Sequence, residues 1–337
     1  MITVIVSALA SFFVALIVTP LMIKFLYKVG IVGIDQHKKN KPVISSSGGI
    51  CVTIGVLVGL LTFIGLETFI TGFSSNVVDL LAIISSVLIV TLVGIFDDLN
   101  IVSKKVVTKN IKDIRVGLPQ WAKPLLTLPA AVPLMVISAG SSQVNLPLIG
   151  LIDMGIFYPL FLIPIGVVGA SNAINMLGGF NGLEAGMGIV YMFGIGLFAL
   201  ITQNQIAILF LVTAATLLAF IKFNWFPAKI LPGDSLTYLL GAILAAGVIV
   251  GNMERLGIII MIPFFIELFL KARSKFNASS LGRVGKDGTI ENVYDRKVYS
   301  LTHIVMNIGR FTEKQITVIF ISIEALFVLL GFSLYLF

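Results

Sequence analysis

Residues 80–98 read LLAIISSVLIVTLVGIFDD, an apolar run that ends in two adjacent aspartates. No charged residue occurs from Leu80 to Phe96, and this length and composition are typical of a helix that crosses a bilayer. The sequence therefore predicts an all-α, polytopic membrane protein. Ten such runs occur, near 2–23, 49–71, 77–96, 122–139, 155–175, 183–201, 205–222, 235–251, 256–271 and 315–337.

The composition of the 337-residue chain points the same way, with 58% hydrophobic and 12% charged residues. Soluble globular proteins carry about 25% charged residues, so a water-soluble domain is excluded. The formal net charge of +7 would suggest a nucleic-acid partner in a soluble protein. Cys51 is the only cysteine, which excludes a disulfide framework and a thiolate metal site.

The distribution of basic residues predicts the topology. All of the 23 Lys and Arg residues except Arg255 lie in connections that follow odd-numbered spans. The positive-inside rule places these connections in the cytoplasm and both termini outside. The positive charge therefore indicates anionic membrane lipids or anionic soluble ligands, rather than nucleic acid, as partners. We expect a single domain, residues 1–337, with cytoplasmic loops near 24–48, 97–121, 176–182, 223–234 and 272–314.

Two adjacent carboxylates, Asp97 and Asp98, lie where the third span meets the cytoplasm. Acids at the C-terminal end of a helix oppose the helix dipole, so a capping role does not explain them. Two like charges this close also repel each other unless a cation or a proton joins them. The pair is therefore predicted to be functional rather than a hydrated helix end.

The stretch NAINMLGGFNGLEAG, residues 172–186, closes the fifth span and opens the sixth. Asn172 and Asn175 share one helix face near the cytoplasmic end, where an amide without partners is costly against lipid. The glycines that follow allow a sharp turn and a close approach of the backbone to a ligand. Asn181 and Glu184 have the spacing of a capping box, so a structural role at the start of the sixth span is the competing interpretation.

The stretch NWFPAKILPGDS, residues 224–235, precedes the eighth span. Asp234 occupies a position where a helix N-cap is expected. The same position suits a divalent cation, beside a helix N-terminus that attracts phosphate. The two interpretations are compatible with each other.

Two further predictions concern polar residues outside these motifs, one about the histidines and one about an ion pair. His37 and His303 are the only histidines, and their positions in distant loops predict exposed side chains and exclude a histidine zinc site. Glu267 lies four residues before Lys271 and is predicted to pair with it.

The predicted cytoplasmic face gathers carboxylates, an amide and cations, namely Asp97, Asp98, Asn175, Asp234, Lys41 and Lys123. Without Ser/His or Cys/His pairs, such a set suits Mg²⁺-assisted phosphoryl chemistry, in which acids hold the metal and cations hold phosphate oxygens. An ion-coupled transporter agrees less well, because carriers place ionisable groups near mid-bilayer. A non-catalytic scaffold does not account for so many polar and glycine residues on one face.

These features together resemble the polyprenyl-phosphate N-acetylhexosamine-1-phosphate transferase family. The closer resemblance is to its archaeal and eukaryotic branch, the UDP-N-acetylglucosamine:dolichyl-phosphate N-acetylglucosamine-1-phosphate transferases. It rests on the ten spans, the aspartate pair, the stretches 172–186 and 224–234, and Trp121-Ala122-Lys123 after a basic loop. It covers nearly the whole chain and places the active site on the cytoplasmic face.

The resemblance implies a catalytic or metal-binding role for five positions. Asn175 and Asp234 are implied as the contacts of Mg²⁺, with Mn²⁺ as the alternative cation. Asp97 and Asp98 are implied as a catalytic acidic pair beside the lipid phosphate. Lys123 is implied as a ligand of phosphate. From the residues alone, Asp97 or Asp98 can act as a base, as a metal ligand or by orienting the nucleophile.

The resemblance also implies the substrate contacts, which are Lys41, Gly179, Asn181, Glu184, Leu231 and Arg283. Gly179 and Asn181 resemble positions that contact the uracil. Leu231 stands where the family often has an aromatic residue, which departs from the usual stacking arrangement. Bacterial relatives carry a histidine-rich motif in the last cytoplasmic loop, and here Arg283 is expected to hold the pyrophosphate and the acetamido sugar instead.

The implied reaction transfers GlcNAc-1-phosphate from UDP-GlcNAc to a polyprenyl or dolichyl-type phosphate. It gives lipid-pyrophosphoryl-GlcNAc and UMP, as the first membrane step of lipid-linked glycan assembly. Another UDP-N-acetylhexosamine is the alternative donor. The expected location is a prokaryotic, archaeal plasma membrane. The sequence does not decide between a monomer and a homodimer.

Overall fold

The computed structural model describes residues 1–72, 76–99, 106–108, 111–113, 118–146 and 150–336. About half of the predicted loop 97–121 lies outside the described residues. Single π-helical turns over Glu67–Thr71 and Tyr158–Leu162 adjoin α2 and α6. The helices are α1 (Ile2–Val29), α2 (Gly49–Leu66), α3 (Val77–Leu99), α4 (Ala122–Thr127), α5 (Val132–Val136), α6 (Ile163–Met176), α7 (Leu183–Ile201), α8 (Ala207–Asn224), α9 (Gly233–Val250), α10 (Glu254–Ile260), α11 (Ile262–Arg273), α12 (Leu301–Ile308) and α13 (Glu313–Leu336).

Eight helices in the described part of the chain are long and apolar enough to cross a membrane, as expected for an integral membrane protein. They are α1, α3, α7, α8, α9 and α13, together with α2 and α6, each counted with its adjoining π-helical turn. The predicted span 122–139 is instead built from α4, a 3₁₀ turn and α5, with Pro129 and Pro133 inside it. The predicted span 256–271 is divided between α10 and α11 at Met261, two residues before Pro263. Proline lacks an amide hydrogen and interrupts a helix, so these two regions form no single long helix.

The chain is mostly helical but not purely α, because the described part of its connections contains four antiparallel hairpins. The all-α prediction missed them because strands of two to four residues are too short to show an alternating pattern. They pair β1 (Val32–Ile34) with β2 (Val43–Ser45), β3 (Val106–Thr108) with β4 (Ile111–Asp113), β5 (Gln143–Leu146) with β6 (Gly150–Asp153), and β7 (Arg283–Val284) with β8 (Ile290–Glu291).

Helix α9 lies at the centre of the bundle and packs against α3 and α6. The helices approach closely at two glycines. A Cβ added at Gly94 of α3 would lie 2.4 Å from Ser235 Cα, and one added at Gly241 of α9 would lie 2.4 Å from Ser171 Cα. Only glycine fits at such distances, so these contacts fix the height of α9 against both neighbours.

Two of the predicted cytoplasmic loops, 24–48 and 223–234, are hydrogen-bonded to each other just before the start of α9. The Leu231 N–H donates to Ser45 O at 2.8 Å, and the Gly48 N–H donates to Leu231 O at 3.0 Å. The Gly49 N–H donates to Pro232 O at 3.0 Å. These backbone bonds hold the first turn of α9 against the start of α2.

Candidate active site

Lys123 lies between two carboxylates that are far apart in the sequence. Its Nζ is 2.7 Å from Asp97 Oδ2 and 2.9 Å from Asp234 Oδ2. Asp97 also accepts hydrogen bonds from the Tyr238 hydroxyl at 3.1 Å and the Leu118 N–H at 2.6 Å. The side chain of Asp97 is 1% exposed and that of Asp234 is 31% exposed. Of the two acids that contact Lys123, Asp234 is therefore the one that is accessible to a ligand.

Asp98 caps the N-terminus of α9. Its carboxylate accepts hydrogen bonds from the backbone N–H groups of Asp234 at 2.9 Å and Ser235 at 3.2 Å. It also accepts one from the Ser47 hydroxyl at 2.7 Å. A negative charge is favourable at a helix N-terminus, where amide groups lack partners. The two adjacent aspartates thus point to different partners, a lysine for Asp97 and a helix end for Asp98.

The N-cap interpretation of Asp234 is wrong. Helix α9 begins at Gly233, so Asp234 lies inside its first turn, and its side chain contacts Lys123 instead of a backbone amide. Gly233 has φ 72°, and a Cβ at this residue would lie 2.3 Å from Asp98 Oδ2. The cap is supplied by another segment, which no local pattern reveals.

Helices α6 and α9 bring Asn175 next to Asp234. The Thr237 hydroxyl donates to Asn175 Oδ1 at 2.7 Å and lies one turn after Asp234 on the same face of α9. Asn172 donates to Val168 O at 2.8 Å and to Thr127 Oγ1 at 3.1 Å. Both asparagines of α6 thus have partners, as their cost near lipid requires.

The glycine turn between α6 and α7 is held by Glu184. Its Oε1 accepts a hydrogen bond from the Gly179 N–H at 2.7 Å, while Oε2 is buried without a hydrogen-bond partner among the described residues. Gly179 has φ 97° and Gly182, just before α7, has φ 78°, a region that favours glycine. The capping-box interpretation is therefore wrong, because Gly182 precedes the helix and Glu184 reaches back to Gly179.

Asn181 belongs to a buried polar network that joins three connections. Its side chain donates to Asp35 Oδ2 at 2.9 Å, and its N–H donates to Glu313 Oε1 at 2.9 Å. Lys38 forms ion pairs with both of these acids. The amide of Asn181 is thereby committed to protein partners, although the residue still lines the cavity described below.

The prediction of exposed histidines is wrong, because both are buried. His37 stacks on Phe180 with 4.3 Å between ring centroids, and its Nε2 accepts the Gly282 N–H at 3.2 Å. His303 accepts the Tyr299 N–H at 3.2 Å through Nδ1. Burial lowers the pKa of His303 to about 4, and the positive charge of Lys271 acts in the same direction. Loop position alone does not predict burial, because these loops fold back onto the bundle.

These groups surround a cavity of about 480 Å³. Asp97 and Asp98 are not among the described residues that line it. One side carries Lys123, Asn175 and Asp234, and a second carries Gly179, Glu184 and Asp35. The third side consists of Lys271, in the last turn of α11, and of the irregular chain that follows this helix, namely Phe276, Ala278, Ser279, Ser280 and Leu281.

The six implied substrate contacts divide between two cavities. Gly179, Asn181, Glu184 and Leu231 line the larger one. Lys41 and Arg283 instead line a neighbouring cavity of about 240 Å³, together with Lys38 and Lys39. The Arg283 side chain is 69% exposed and pairs with Glu291 at 3.0 Å. The role of Lys41 and Arg283 in binding the donor UDP-sugar stays a prediction.

Sequence reasoning missed four groups of the site. Thr237 and Tyr238 follow Asp234 by three and four residues, so helical periodicity from that acid would have indicated both. Asp35 sits in a basic loop with no pattern that marks it. Lys271 was predicted to pair with Glu267, and the 3.6 Å distance between Lys271 Nζ and Glu267 Oε1 confirms this, but its place at the cavity was not foreseen.

The donor set suits Mg²⁺ bound through few protein ligands. No group of three or more His, Cys, Asp or Glu side chains that could hold a metal occurs within the described ranges. Mg²⁺ commonly takes one or two protein oxygens and completes its shell with water and substrate phosphates. A partly exposed Asp234 carboxylate beside the Asn175 amide oxygen fits that requirement.

Residues 80–252 match the family model described as Glycosyl transferase family 4. A protein of Saccharolobus solfataricus is 35% identical over 96% of this chain and 94% of its own length, and one of Sulfolobus acidocaldarius is 32% identical over 96% and 94%. Both carry the provisional name UDP-N-acetylglucosamine–dolichyl-phosphate N-acetylglucosaminephosphotransferase. A phospho-N-acetylmuramoyl-pentapeptide-transferase of Streptococcus pyogenes is 33% identical over 78% of this chain and 77% of its own length.

Proposed function

Because the chain belongs to glycosyl transferase family 4, we propose that it transfers GlcNAc-1-phosphate from UDP-GlcNAc to a polyprenyl or dolichyl phosphate. The names of two archaeal relatives that match nearly the whole chain support this reaction. The observation that carries the proposal is the Lys123 ammonium held beside Asp234 at the edge of the cavity. Enzymes of phosphoryl transfer commonly combine a cation that binds phosphate oxygens with an acid that binds a metal ion.

In the proposed reaction, an oxygen of the lipid phosphate attacks the β-phosphorus of UDP-GlcNAc. The bond between that phosphorus and the bridging oxygen breaks, and UMP leaves with the electron pair. A phosphate monoester has a second pKa of about 6, so the nucleophile is already mostly a dianion at neutral pH. Proton removal by a protein base is therefore not required, and Lys123 is placed to stabilise phosphate oxygens in the transition state.

Asn175 and Asp234 would hold Mg²⁺ in this proposal. The ion supplies charge neutralisation for the diphosphate and the leaving UMP. Mn²⁺ has the same preference for oxygen ligands and is the alternative. Removal of divalent cations by EDTA should abolish UMP release, and added Mg²⁺ should restore it. Full activity in EDTA would contradict the assignment.

The resemblance implied Asp97 and Asp98 as catalytic acids, and we propose positioning roles for both. Asp97 contacts Lys123 through a side chain that is 1% exposed. Asp98 contacts the backbone of the turn that carries Asp234. Neither lines the cavity among the described residues, so each acts through the group that it holds.

We propose that the site faces the cytoplasm, that both termini are outside and that the regions of α4–α5 and α10–α11 complete ten membrane passages. The distribution of Lys and Arg supports this topology. The only native cysteine, Cys51, is buried, so cysteines introduced at Lys286 and Thr3 can be labelled against a low background. A membrane-impermeant maleimide should label Thr3→Cys in intact cells and Lys286→Cys only after lysis. The reverse pattern would invert the topology.

The enzymatic test uses the purified full chain in detergent with Mg²⁺, a polyprenyl or dolichyl phosphate and UDP-GlcNAc, and measures UMP. Wild-type protein should release UMP, and Asp234→Asn should not. Arg310→Gln serves as the control, because Arg310 lies in an exposed ion pair. A panel of UDP-sugars tests the alternative donor. Absence of UMP release with every donor would refute the proposed function.

A further inference from the structure

The irregular part of the third side of the cavity is a short segment, residues 276–282, which we name the wall segment. It contains no helix or strand. Its backbone polar groups are nevertheless bound by partners on either side of it in the chain. These bonds join Ala278 O to Lys271 Nζ (2.9 Å), the Ser279 N–H to Tyr294 Oη (2.9 Å), Ser280 O to Thr302 Oγ1 (2.7 Å) and the Gly282 N–H to His37 Nε2 (3.2 Å).

The wall segment is anchored to α11 by the ion pair of Glu267 and Lys271. Both residues are buried, at 0% and 6% exposure. Besides the bond to Ala278 O, Lys271 Nζ donates to Ser280 Oγ at 2.7 Å. Glu267 Oε2 accepts the Leu301 N–H at 2.7 Å, at the start of α12. The pair therefore ties α11, the wall segment and α12 together.

Ser280 connects this anchor to the end of α6. Its hydroxyl proton has two acceptors in reach, Met176 O at 3.1 Å and Glu267 Oε1 at 3.4 Å. Met176 is the neighbour of Asn175, on the side of the cavity where the metal is proposed. On the other flank, Leu281 lies against Gly179, where an added Cβ would be 2.5 Å from Leu281 Cδ2. The position of the wall segment thus sets the width of the cavity.

We propose that Glu267 and Lys271 are positioning residues, which fix the wall segment so that it forms one face of the site for the donor nucleotide-sugar. This inference rests on the proposed function. A buried ion pair contributes little net stability compared with a well-packed apolar pair, so its value here is the specific geometry that its charged hydrogen bonds impose. Three protein groups already surround the Lys271 ammonium, which argues against a direct contact with the diphosphate.

The test compares the full chain with Glu267→Gln, Lys271→Met and the double variant. Ser280→Ala is a milder change that removes the hydroxyl and keeps both charges. In each variant we expect the KM for UDP-GlcNAc to rise about tenfold while kcat changes by less than about threefold, the signature of lost ground-state binding. The double variant should resemble the single ones, because all three break the same anchor. Arg310→Gln, which breaks an exposed ion pair in the same connection, should match the wild type.

Two outcomes would overturn the proposal. If Lys271→Met is far worse than Glu267→Gln, the ammonium itself binds the donor. If the variants keep the wild-type KM, the anchor does not shape the site.

Hydrogen–deuterium exchange on the protein without substrate tests the anchor independently of catalysis. The amides of residues 279–282 should exchange about tenfold faster in Glu267→Gln than in the wild type and Arg310→Gln. Unchanged exchange would refute the positioning role even if the protein is active. If exchange rises but the wild type releases no UMP, the proposed function fails while the anchor stands.

Discussion

Asp98 Oδ1 accepts a hydrogen bond from the backbone N–H of Asp234 at 2.9 Å, so one acid of the adjacent pair holds the helix turn that carries the most open acid of the site. The residues are 136 positions apart. The position of Asp234 therefore depends on a carboxylate that is not among the described residues lining the cavity.

Asp98→Asn should impair both stability and turnover. The amide loses the negative charge at the N-terminus of α9 and one of the acceptors used by Asp234, Ser235 and Ser47. Loss of such hydrogen bonds costs about 1–3 kcal/mol. We expect a lower melting temperature together with reduced UMP release. Ser47→Ala removes only one partner and should give a smaller change of both quantities; equal effects would argue against the capping role.

Lys123→Met should be more damaging than Asp98→Asn. It leaves the carboxylates of Asp97 and Asp234 next to each other without the cation between them. Breaking a buried ion pair costs about 3–5 kcal/mol of stability, and a lost transition-state contact reduces the rate by about 100-fold or more. The double variant Lys123→Met/Asp97→Asn should recover part of the stability but no UMP release. Recovery of turnover would show that Lys123 does not contact the reacting phosphate.

Gly94→Ala tests the close approach of α3 and α9. The new methyl group would meet Ser235 Cα at 2.4 Å and push the acidic pair away from the turn that it holds. We expect destabilisation of about 1–3 kcal/mol, as for other overpacked cores. Gly65→Ala in α2 is the matched control, because nothing lies within 4 Å of a Cβ at that position. It should be neutral or stabilise by about 0.5–1 kcal/mol.

Acid should destabilise the protein through His303. Its pKa is lowered from 6.5 to about 4 in the folded state by burial, so the unfolded chain binds more protons between these values. Stability therefore falls as the pH drops from about 6.5 to 4. The melting temperature of His303→Gln should show a weaker decrease over this window than that of the wild type. Parallel pH profiles of the two proteins would exclude His303 as the source.

The sequence predicted most of the bundle, because uninterrupted apolar runs identify long helices without knowledge of their neighbours. It overestimated the regularity of 122–139 and 256–271, where a hydrophobic run hides prolines that break the helix. Hydropathy measures the environment of a segment and is insensitive to its backbone continuity.

The sequence predicted which residues belong to the candidate site better than it predicted which groups they contact. Asp97, Lys123, Asn175 and Asp234 stood out as polar groups at apolar ends, and the fold brings them together. The bond of Asp98 to a backbone amide and the burial of His37 depend on contacts between distant segments. No local spacing encodes such contacts, since they arise only when the loops pack.

The first turn of α9 is bonded to Asp98, and the two residues just before it, Leu231 and Pro232, are bonded to Gly48 and Gly49. The turn that carries Asp234 is consequently held in place by hydrogen bonds before any ligand binds. A ligand that binds to Asp234 therefore loses no free energy to the ordering of this turn. The backbone also cannot shift to make room for a longer side chain at this position. Even Asp234→Glu, which keeps the charge, would displace the carboxylate by one methylene with no backbone movement to compensate.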